Sequence, residues 1–220
     1  MFESKYSKVL TVILIIVIVA IVGLLAFLGY DFYQNYIITK DTSEFVDKFQ
    51  GETQDSEGND KNETAEGNTT NPFDQIKDAE RKSGTTKKMY KGFGVLGTME
   101  IPTINLKYPI LEKVTKKSIE TAVAFLYGTG INQQGNSVII GHNYRNGLFF
   151  SNIKKLNLGD KIYITDNDGK KLTYNIYNKF ETTPEDTSFY QRDTGGKPEV
   201  TLSTCTDNSQ ARTIIFAKAE

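Results

Sequence analysis

The sequence predicts a mainly β domain, folded as a closed antiparallel or mixed β-barrel, behind an N-terminal transmembrane helix. From Phe93 onward, short runs of β-branched and apolar residues alternate with turn residues, and few helical patterns interrupt them. Strands do not alternate with long helices, which argues against a parallel α/β sheet. The roughly 130 residues that follow residue 93 suit one compact domain.

The transmembrane prediction rests on residues 9–28, an almost unbroken apolar run. About 20 residues at 1.5 Å each reach about 30 Å, the thickness of a bilayer core. A cleaved signal peptide is the alternative, but its apolar region is usually shorter and is followed by a small-x-small cleavage site, which this sequence lacks. Lys5 and Lys8 precede the run and Asp31 follows it. The positive-inside rule therefore predicts a single-pass cell-membrane protein with residues 1–8 in the cytoplasm and the rest outside.

Residues 29–70 are predicted to be a juxtamembrane segment followed by an acidic flexible linker. The first part, residues 31–50, can form a helix with three apolar side chains on one face: Phe45, Val46 and Phe49. The second part, residues 51–70, is rich in carboxylates and has a single apolar residue. Such a stretch cannot bury enough apolar surface to offset its ordering entropy. We therefore expect a tether there, with a charged docking segment as the alternative, and a cooperatively folding domain after removal of residues 1–70.

The predicted domain, residues 93–220, contains strands, two short helical segments and a hairpin turn. The predicted strands are residues 93–101, 106–110, 137–141, 161–165, 171–180, 200–204 and 212–217. A short helix is predicted over 118–125, a helix or helical turn over 148–156, and a hairpin turn at 167–169.

The candidate nucleophile is Cys205, the only cysteine of the chain. A single cysteine cannot form an intrachain disulfide, and a lone thiol is more often a reactive or buried group than part of a disulfide framework. Cys205 ends a predicted strand, a polar turn follows, and Arg212 begins the next strand. If these two residues pair directly across a hairpin, they lie about 5 Å apart at the backbone. The sequence therefore predicts a thiol with a guanidinium beside it.

The candidate acid and base is His142, the only histidine. An imidazole can take a proton from a thiol and later return one to a leaving group. A lone histidine is usually a surface or core residue, but His142 directly follows an apolar strand and precedes a loop, which favours a role in a site.

Thr201-Leu202-Ser203-Thr204-Cys205, with Arg212 on the next strand and Gly141-His142-Asn143 after an apolar strand, resembles the sortases. These are membrane-anchored cysteine transpeptidases of Gram-positive bacteria, and the resemblance covers residue 93 to the C-terminus. It implies an eight-stranded barrel with the site at one rim, and catalytic roles for Cys205, His142 and Arg212. It also implies cleavage of an LPxTG-like sorting signal between Thr and Gly. The acceptor would be an amine of a peptidoglycan precursor or a pilin lysine.

The loop before the Cys205 strand is shorter than that of class B sortases, which favours class A, C or D. Asn71-Pro72-Phe73 resembles the Asp-Pro-aromatic lid of pilus-building sortases, although Asn71 stands where that motif has its acid. Residues 71–92 are therefore predicted to be a lid or, as the favoured alternative, a turn that starts an N-terminal helix.

Partners other than peptides and the cell membrane are not indicated. The net charge of −1 does not suggest nucleic-acid binding. No metal ligand set or cofactor site is predicted. Some sortases bind calcium through loop carboxylates, for which Asp160, Glu181, Glu185 and Asp186 could serve, but solvated loop acids are the favoured interpretation. A Cys/His protease and a non-enzymatic membrane-anchored binding module remain alternatives.

Overall fold

The computed structural model describes residues 3–55 and 88–220, with side chains described for residues 8–52 and 88–220. Residues 1–41 and 42–220 form two compact units. The predicted lid at Asn71-Pro72-Phe73 and the acidic stretch from residue 56 to 70 lie outside the described residues.

The first unit consists of the N-terminal part of helix α1, Glu3–Asp55. Its apolar side chains from Val9 to Leu28 are exposed. An apolar helical surface of this length needs a non-aqueous partner, and in length and composition the helix is able to cross a membrane. The helix is therefore a candidate membrane anchor, and a signal sequence at this position would have the same length and composition.

The second unit is built around nine strands: β1 (Met89–Tyr90), β2 (Phe93–Ile101), β3 (Leu106–Leu111), β4 (Val123–Tyr127), β5 (Gly135–Ile140), β6 (Lys161–Asp166), β7 (Lys171–Thr182), β8 (Pro198–Cys205) and β9 (Arg212–Ala219). Their order in the sheet is β1-β2-β3-β4-β5-β8-β9-β7-β6, and pairing of β2 with β6 closes strands β2 to β9 into an eight-stranded barrel. The β3–β4 and β5–β8 pairs are parallel and the others are antiparallel. The predicted fold class, a mainly β mixed barrel, is confirmed.

The predicted helix over residues 118–125 is only half right. Helix α2 spans Lys116–Ile119, and a capping box between Thr115 and Ser118 starts it two residues before the predicted start. Residues 123–125 instead belong to β4, where Val123 and Ala124 are fully buried and pair with β3 and β5. Burial on both faces gives this segment an apolar run without alternation, which does not distinguish a short strand from a helix.

The segment predicted as helix or helical turn over 148–156 consists of turns and one 3₁₀ turn, Ile153–Lys155. Phe149 and Ile153 are buried, as the sequence pattern predicts. The hairpin turn at 167–169 is confirmed: it connects β6 to β7, and Gly169 has the positive φ of 84° that such a turn requires.

The last turns of α1 belong to the barrel unit. Val46 and Phe49 are buried, and Phe45 packs on Tyr90 of β1 with ring centroids 4.8 Å apart. The Lys107 ammonium donates a hydrogen bond of 2.7 Å to the Asp47 carboxylate. The helix extends to Asp55, past residue 51, where the acidic linker was expected to begin. The compact unit that contains the barrel therefore starts at residue 42.

This packing changes the expected result of truncation. Removing residues 1–41 should leave the stability of the barrel unchanged, whereas removing residues 1–70 deletes the buried Val46 and Phe49. The second deletion should cost about 2–4 kcal/mol of unfolding free energy, which lowers the Tm by roughly 5–15 °C. Thermal unfolding of the two truncated proteins, followed by circular dichroism, measures the difference. Equal Tm values would show that residues 42–55 do not stabilise the barrel.

Candidate active site

Cys205 and Arg212 lie at the same end of the β8–β9 hairpin. They are direct partners in the antiparallel register, as the sequence predicts. The connecting loop is closed by hydrogen bonds between Thr206 and Ala211, among them one from Thr206 N to Ala211 O (2.9 Å) and one from Ala211 N to the Thr206 hydroxyl (3.1 Å). The Arg212 guanidinium donates from Nη1 to the half-buried Cys205 Sγ. The hairpin therefore fixes a planar cation against the thiol. The remaining N–H groups of the guanidinium can donate to an oxygen atom of a molecule that binds next to Cys205.

His142 is brought beside Cys205 by the parallel pairing of β5 with β8. Gly141 continues this pairing, because its N–H donates to Ser203 O (3.3 Å) and its carbonyl accepts from the Thr204 hydroxyl (2.7 Å). A Cβ at Gly141 would lie 2.9 Å from the Phe150 ring. Glycine is therefore required here, since any side chain would displace the ring or the backbone that carries His142.

A row of aromatic rings supports the His142 imidazole. Tyr144 stacks on His142 with centroids 4.8 Å apart, and its other neighbour is Phe149 at 5.5 Å. Phe149 in turn stacks on Tyr108 of β3 at 5.3 Å, and its N–H donates to the Tyr108 hydroxyl (3.0 Å). Rings in such contact are worth about 0.5–1.5 kcal/mol per pair beyond the area they bury. The loop that carries His142 is thus anchored to the barrel wall.

The surroundings of His142 favour its neutral form. Burial lowers the pKa of His142, and the nearby Glu120 carboxylate opposes this effect in part. Because the ordinary pKa of histidine is about 6.5, most molecules carry a neutral imidazole at pH 7. A neutral ring can accept a proton from a thiol, which an imidazolium cannot do.

Asn143 connects the two loops of the site. Its amide Nδ2 donates to the Cys205 carbonyl (2.9 Å) and to the Asp207 carboxylate (2.9 Å). Lys154 pairs with the same carboxylate. The Lys154 ammonium and, second, the Asn143 amide lower the pKa of Asp207. These contacts hold the loop after Cys205 in register with the loop after His142.

All three predicted site residues line one groove of about 250 Å³, which we call the active-site groove. The groove is lined by residues of β5, β8 and β9, of α2 and β4, and of the β7–β8 loop. The full set of lining residues is Ile119, Leu126, Ile140, Gly141, His142, Pro184, Asp186, Phe189, Tyr190, Ser203, Thr204, Cys205 and Arg212. An imidazole, a thiol and a guanidinium meet here against a mostly apolar wall.

Sequence reasoning missed the walls of this groove and the groups that support His142. Phe189 and Tyr190 lie in the irregular β7–β8 loop, and Asn136 of β5 binds that loop by donating to the carbonyls of both, at 3.1 and 3.0 Å. Tyr144 and Glu120 act on His142 from a loop and from the end of α2. No periodicity marks the wall residues Phe189 and Tyr190 or the supporting residue Tyr144, because all three lie in irregular loops.

A second, polar cavity of about 300 Å³ lies on the other side of Thr204, and we call it the polar cavity. Its charged lining residues are Lys154, Glu181 and Asp207. Within residues 8–52 and 88–220, no three His, Cys, Asp or Glu side chains are grouped so that they could hold a metal ion. Of the four candidate calcium ligands, Asp186 instead accepts hydrogen bonds from Thr182 and from the Ser188 N–H.

The fold and the groove define a class of protein: a closed β-barrel that presents a thiol, an imidazole and a guanidinium to one groove of about 250 Å³. The sequence profile of the Sortase domain matches residues 99–220, more than half of the chain. The chain belongs to the sortase family.

Sortase A of Bacillus anthracis is 34% identical over 120 residues, which cover 53% of this chain and 56% of that protein. The chain thus spans about half the length of the curated relatives it matches. The structure of a Clostridium perfringens sortase D5 transpeptidase is similar with a TM-score of 0.55 and 28% identity, over 67% of this chain and 94% of that one. The structure of sortase C1 of GBS pilus island 1 is similar with a TM-score of 0.53 and 25% identity, over 57% of this chain and 64% of that one.

Proposed function

We propose that this chain is a membrane-anchored cysteine transpeptidase. It cleaves an LPxTG-like sorting signal between Thr and Gly and joins the new carboxyl end to an amine of a peptidoglycan precursor. The observation that carries the proposal is the active-site groove, in which Cys205, His142 and Arg212 line one cleft of a sortase-family barrel. Because the chain belongs to the sortase family, acyl transfer is the reaction that we expect these three groups to catalyse.

In the first half-reaction, neutral His142 accepts the proton of the Cys205 thiol, and the sulfur attacks the carbonyl carbon of the substrate threonine. The tetrahedral intermediate collapses as the C–N bond to glycine breaks, and His142 gives its proton to the departing amine. The threonine is then held as a thioester. In the second half-reaction an acceptor amine attacks this thioester, its proton passes through His142, and the Cys205 sulfur leaves.

Arg212 stabilises the oxygen that becomes negative in both tetrahedral intermediates. Its guanidinium already donates to Cys205 Sγ, so its N–H groups lie where the carbonyl oxygen of a bound acyl group arrives. Charged donors aimed at a developing oxyanion contribute strongly, because they need no reorganisation at the moment of reaction. The planar fork can hold sulfur and oxygen together.

The chemistry of the two cavities beside Cys205 sets the direction of the substrate. The active-site groove offers apolar walls, among them Ile119, Leu126 and Phe189. Leucine and proline of the signal gain free energy by leaving water there, at about 25 cal/mol per Å² buried. The polar cavity, with Glu181 and Asp207, suits the leaving and accepting amines. The acyl side of the signal therefore extends along the active-site groove.

Three alternatives to this function remain, and two of them use the same three residues. A pilin lysine is the alternative acceptor, and similarity to sortase C1 of a pilus island favours this candidate. A Cys/His protease would release the same acyl group to water. A binding module without catalysis would not need the thiol.

Product analysis separates these possibilities. The full chain in detergent is incubated with an LPxTG peptide and one of three additions: a peptidoglycan-like amine, a lysine peptide, or no amine. We expect mass spectrometry to find the signal joined to an amine, with the preferred amine identifying the acceptor class. If the peptide is hydrolysed at the same rate in all three reactions and no product contains an amine, the protein is a protease. No cleavage at all would contradict the proposal.

Arg212→Lys separates the geometry of the guanidinium from its charge. Lysine keeps the positive charge but cannot supply two directed donors in one plane. Loss of one preorganised oxyanion donor typically lowers kcat by about 10²–10³-fold. We expect a loss of this size, with normal folding and with Cys205 still reactive toward iodoacetamide.

The matched control is Arg145→Lys, which changes an exposed arginine bonded to Ser209 outside the active-site groove. Its kcat should stay within about twofold of the parent, as is usual for surface substitutions. If Arg212→Lys also stayed within a few-fold, Arg212 would have no part in oxyanion stabilisation.

A further inference from the structure

A cavity of about 720 Å³ continues the active-site groove, and we call it the outer cavity. It shares Leu126 and Tyr190 with that groove. Its complete lining is Phe125, Leu126, Tyr127, Gly128, Thr129, Asn136, Tyr190, Gln191, Arg192 and Asp193. The proposed reaction, which needs Cys205, His142 and Arg212, leaves this cavity unused.

We propose that the outer cavity is a subsite for the segment of the substrate that precedes the sorting signal, and that it binds a proline or aromatic ring on Tyr127 and Tyr190. This inference rests on the proposed function. It predicts that the protein recognises its substrate beyond the sorting signal itself.

The length of the sorting signal places the segment that precedes it at the outer cavity. The strand that ends at the active-site groove with Ile140 and Gly141 begins near Asn136, which lines the outer cavity. The five residue-to-residue steps from Asn136 to Gly141 rise about 16 Å. The four residues from Leu to Thr of an extended signal span about 13 Å. With the threonine carbonyl at Cys205, the chain before the leucine therefore enters the outer cavity.

The wall of the outer cavity suits ring side chains. Tyr127 and Tyr190 stack with centroids 5.5 Å apart and ring planes at 29°, and Tyr127 is 37% exposed. The Gln191 amide donates to the Tyr127 hydroxyl (2.8 Å), which fixes the ring from its polar edge. Aromatic-lined grooves of this kind bind proline-rich segments and aromatic rings, whose faces bury well against tyrosine.

The wall is also held rigidly before any substrate arrives. The Arg192 guanidinium pairs with the Glu199 carboxylate (2.6 Å), donates to Asn136 Oδ1 (2.9 Å), and lies 3.7 Å from the centroid of the Phe216 ring. Asn136 in turn donates to the Tyr190 carbonyl (3.0 Å). These contacts fix the backbone on both sides of Tyr190. A preformed wall costs little ordering entropy on binding, so even a short upstream segment gains affinity from it.

The test compares three peptides with the full chain in detergent: the sorting signal alone, the signal after a Pro-Tyr-Pro-Tyr segment, and the signal after a Gly-Ser-Gly-Ser segment. We expect the kcat/KM of the Pro-Tyr peptide to exceed that of the Gly-Ser peptide by about 3–10-fold, the range expected for one or two ring contacts. In Tyr127→Ala this ratio should fall to about 1. Tyr127→Phe keeps the ring and should retain most of the ratio.

Tyr163→Ala is the matched control, because it removes a half-buried tyrosine of β6 that lines neither cavity. It should keep the parental ratio. The inference would be overturned if the parent protein turned over the Pro-Tyr and Gly-Ser peptides with equal kcat/KM, or if Tyr127→Ala kept the parental ratio. Turnover of the sorting signal alone would in that case leave the proposed function intact. Failure of all three peptides to react would overturn the proposed function and this inference with it.

Discussion

Cys205→Ala should abolish cleavage and ligation of a sorting-signal peptide. The chain has no second thiol that could form the acyl-enzyme, because Cys205 is its only cysteine. Without a covalent intermediate, the difficult amide cleavage is no longer split into two easier steps. We expect product formation below detection in a mass-spectrometric assay that easily measures the parent protein.

Loss of the thiol must be separated from loss of the fold. Cys205 is half-buried at the open end of β8, so the shorter alanine side chain leaves no large internal cavity. The Tm should therefore stay within a few degrees of the parent. The variant should also still bind the peptide, since the apolar walls of the active-site groove are unchanged. More than a trace of ligation by folded Cys205→Ala would contradict the whole assignment.

His142→Ala should lower the rate of ligation by about 10²–10⁴-fold. The substitution removes the group that takes the thiol proton and returns it to the leaving amine. Added imidazole should restore part of the rate, because it supplies the same base in solution, whereas an equal concentration of chloride salt should not. A near-normal rate without imidazole would leave His142 as a structural residue that packs on Tyr144.

The pH dependence of the parent protein tests the same role. Burial lowers the pKa of His142, and Glu120 raises it in part. The neutral base is therefore lost only when the pH falls below the ordinary value of about 6.5, and kcat/KM should decline on this acid side. Glu120→Gln removes the opposing charge, so the decline should move to lower pH. Movement to higher pH, or no movement, would show that another group controls the acid side.

The sequence could predict Cys205 and Arg212 as neighbours because a hairpin is a local structure. They are seven positions apart along the chain, and the turn between them is marked by its own polar residues. Once the two strands pair, the register follows from the turn, and direct pairing of Cys205 with Arg212 is the result. Every strand of the barrel except β4 was predictable for the same reason, since each carries its own β-branched and apolar residues.

Two segments could not be interpreted from their local pattern alone. The segment at 123–125 has the apolar content of a buried helix but is the strand β4, since it lies between β3 and β5. Residues 42–52 show a helical face in the sequence, but whether Val46 and Phe49 meet the barrel depends on a surface formed by distant strands.

By itself the sequence determined the mainly β class, the apolar N-terminal helix, the Cys205–Arg212 hairpin and the identity of the only imidazole. Only the tertiary structure decided that His142 reaches Cys205, since the parallel β5–β8 pairing joins strands about 60 residues apart and no turn signals it. It also decided the walls of the active-site groove and the outer cavity. Tyr127 and Tyr190 stack across 63 residues of chain, and their meeting follows from closure of the barrel and from the Arg192 contacts beneath the loop. Contacts of this kind depend on how the whole barrel closes, and no local stretch of sequence encodes them.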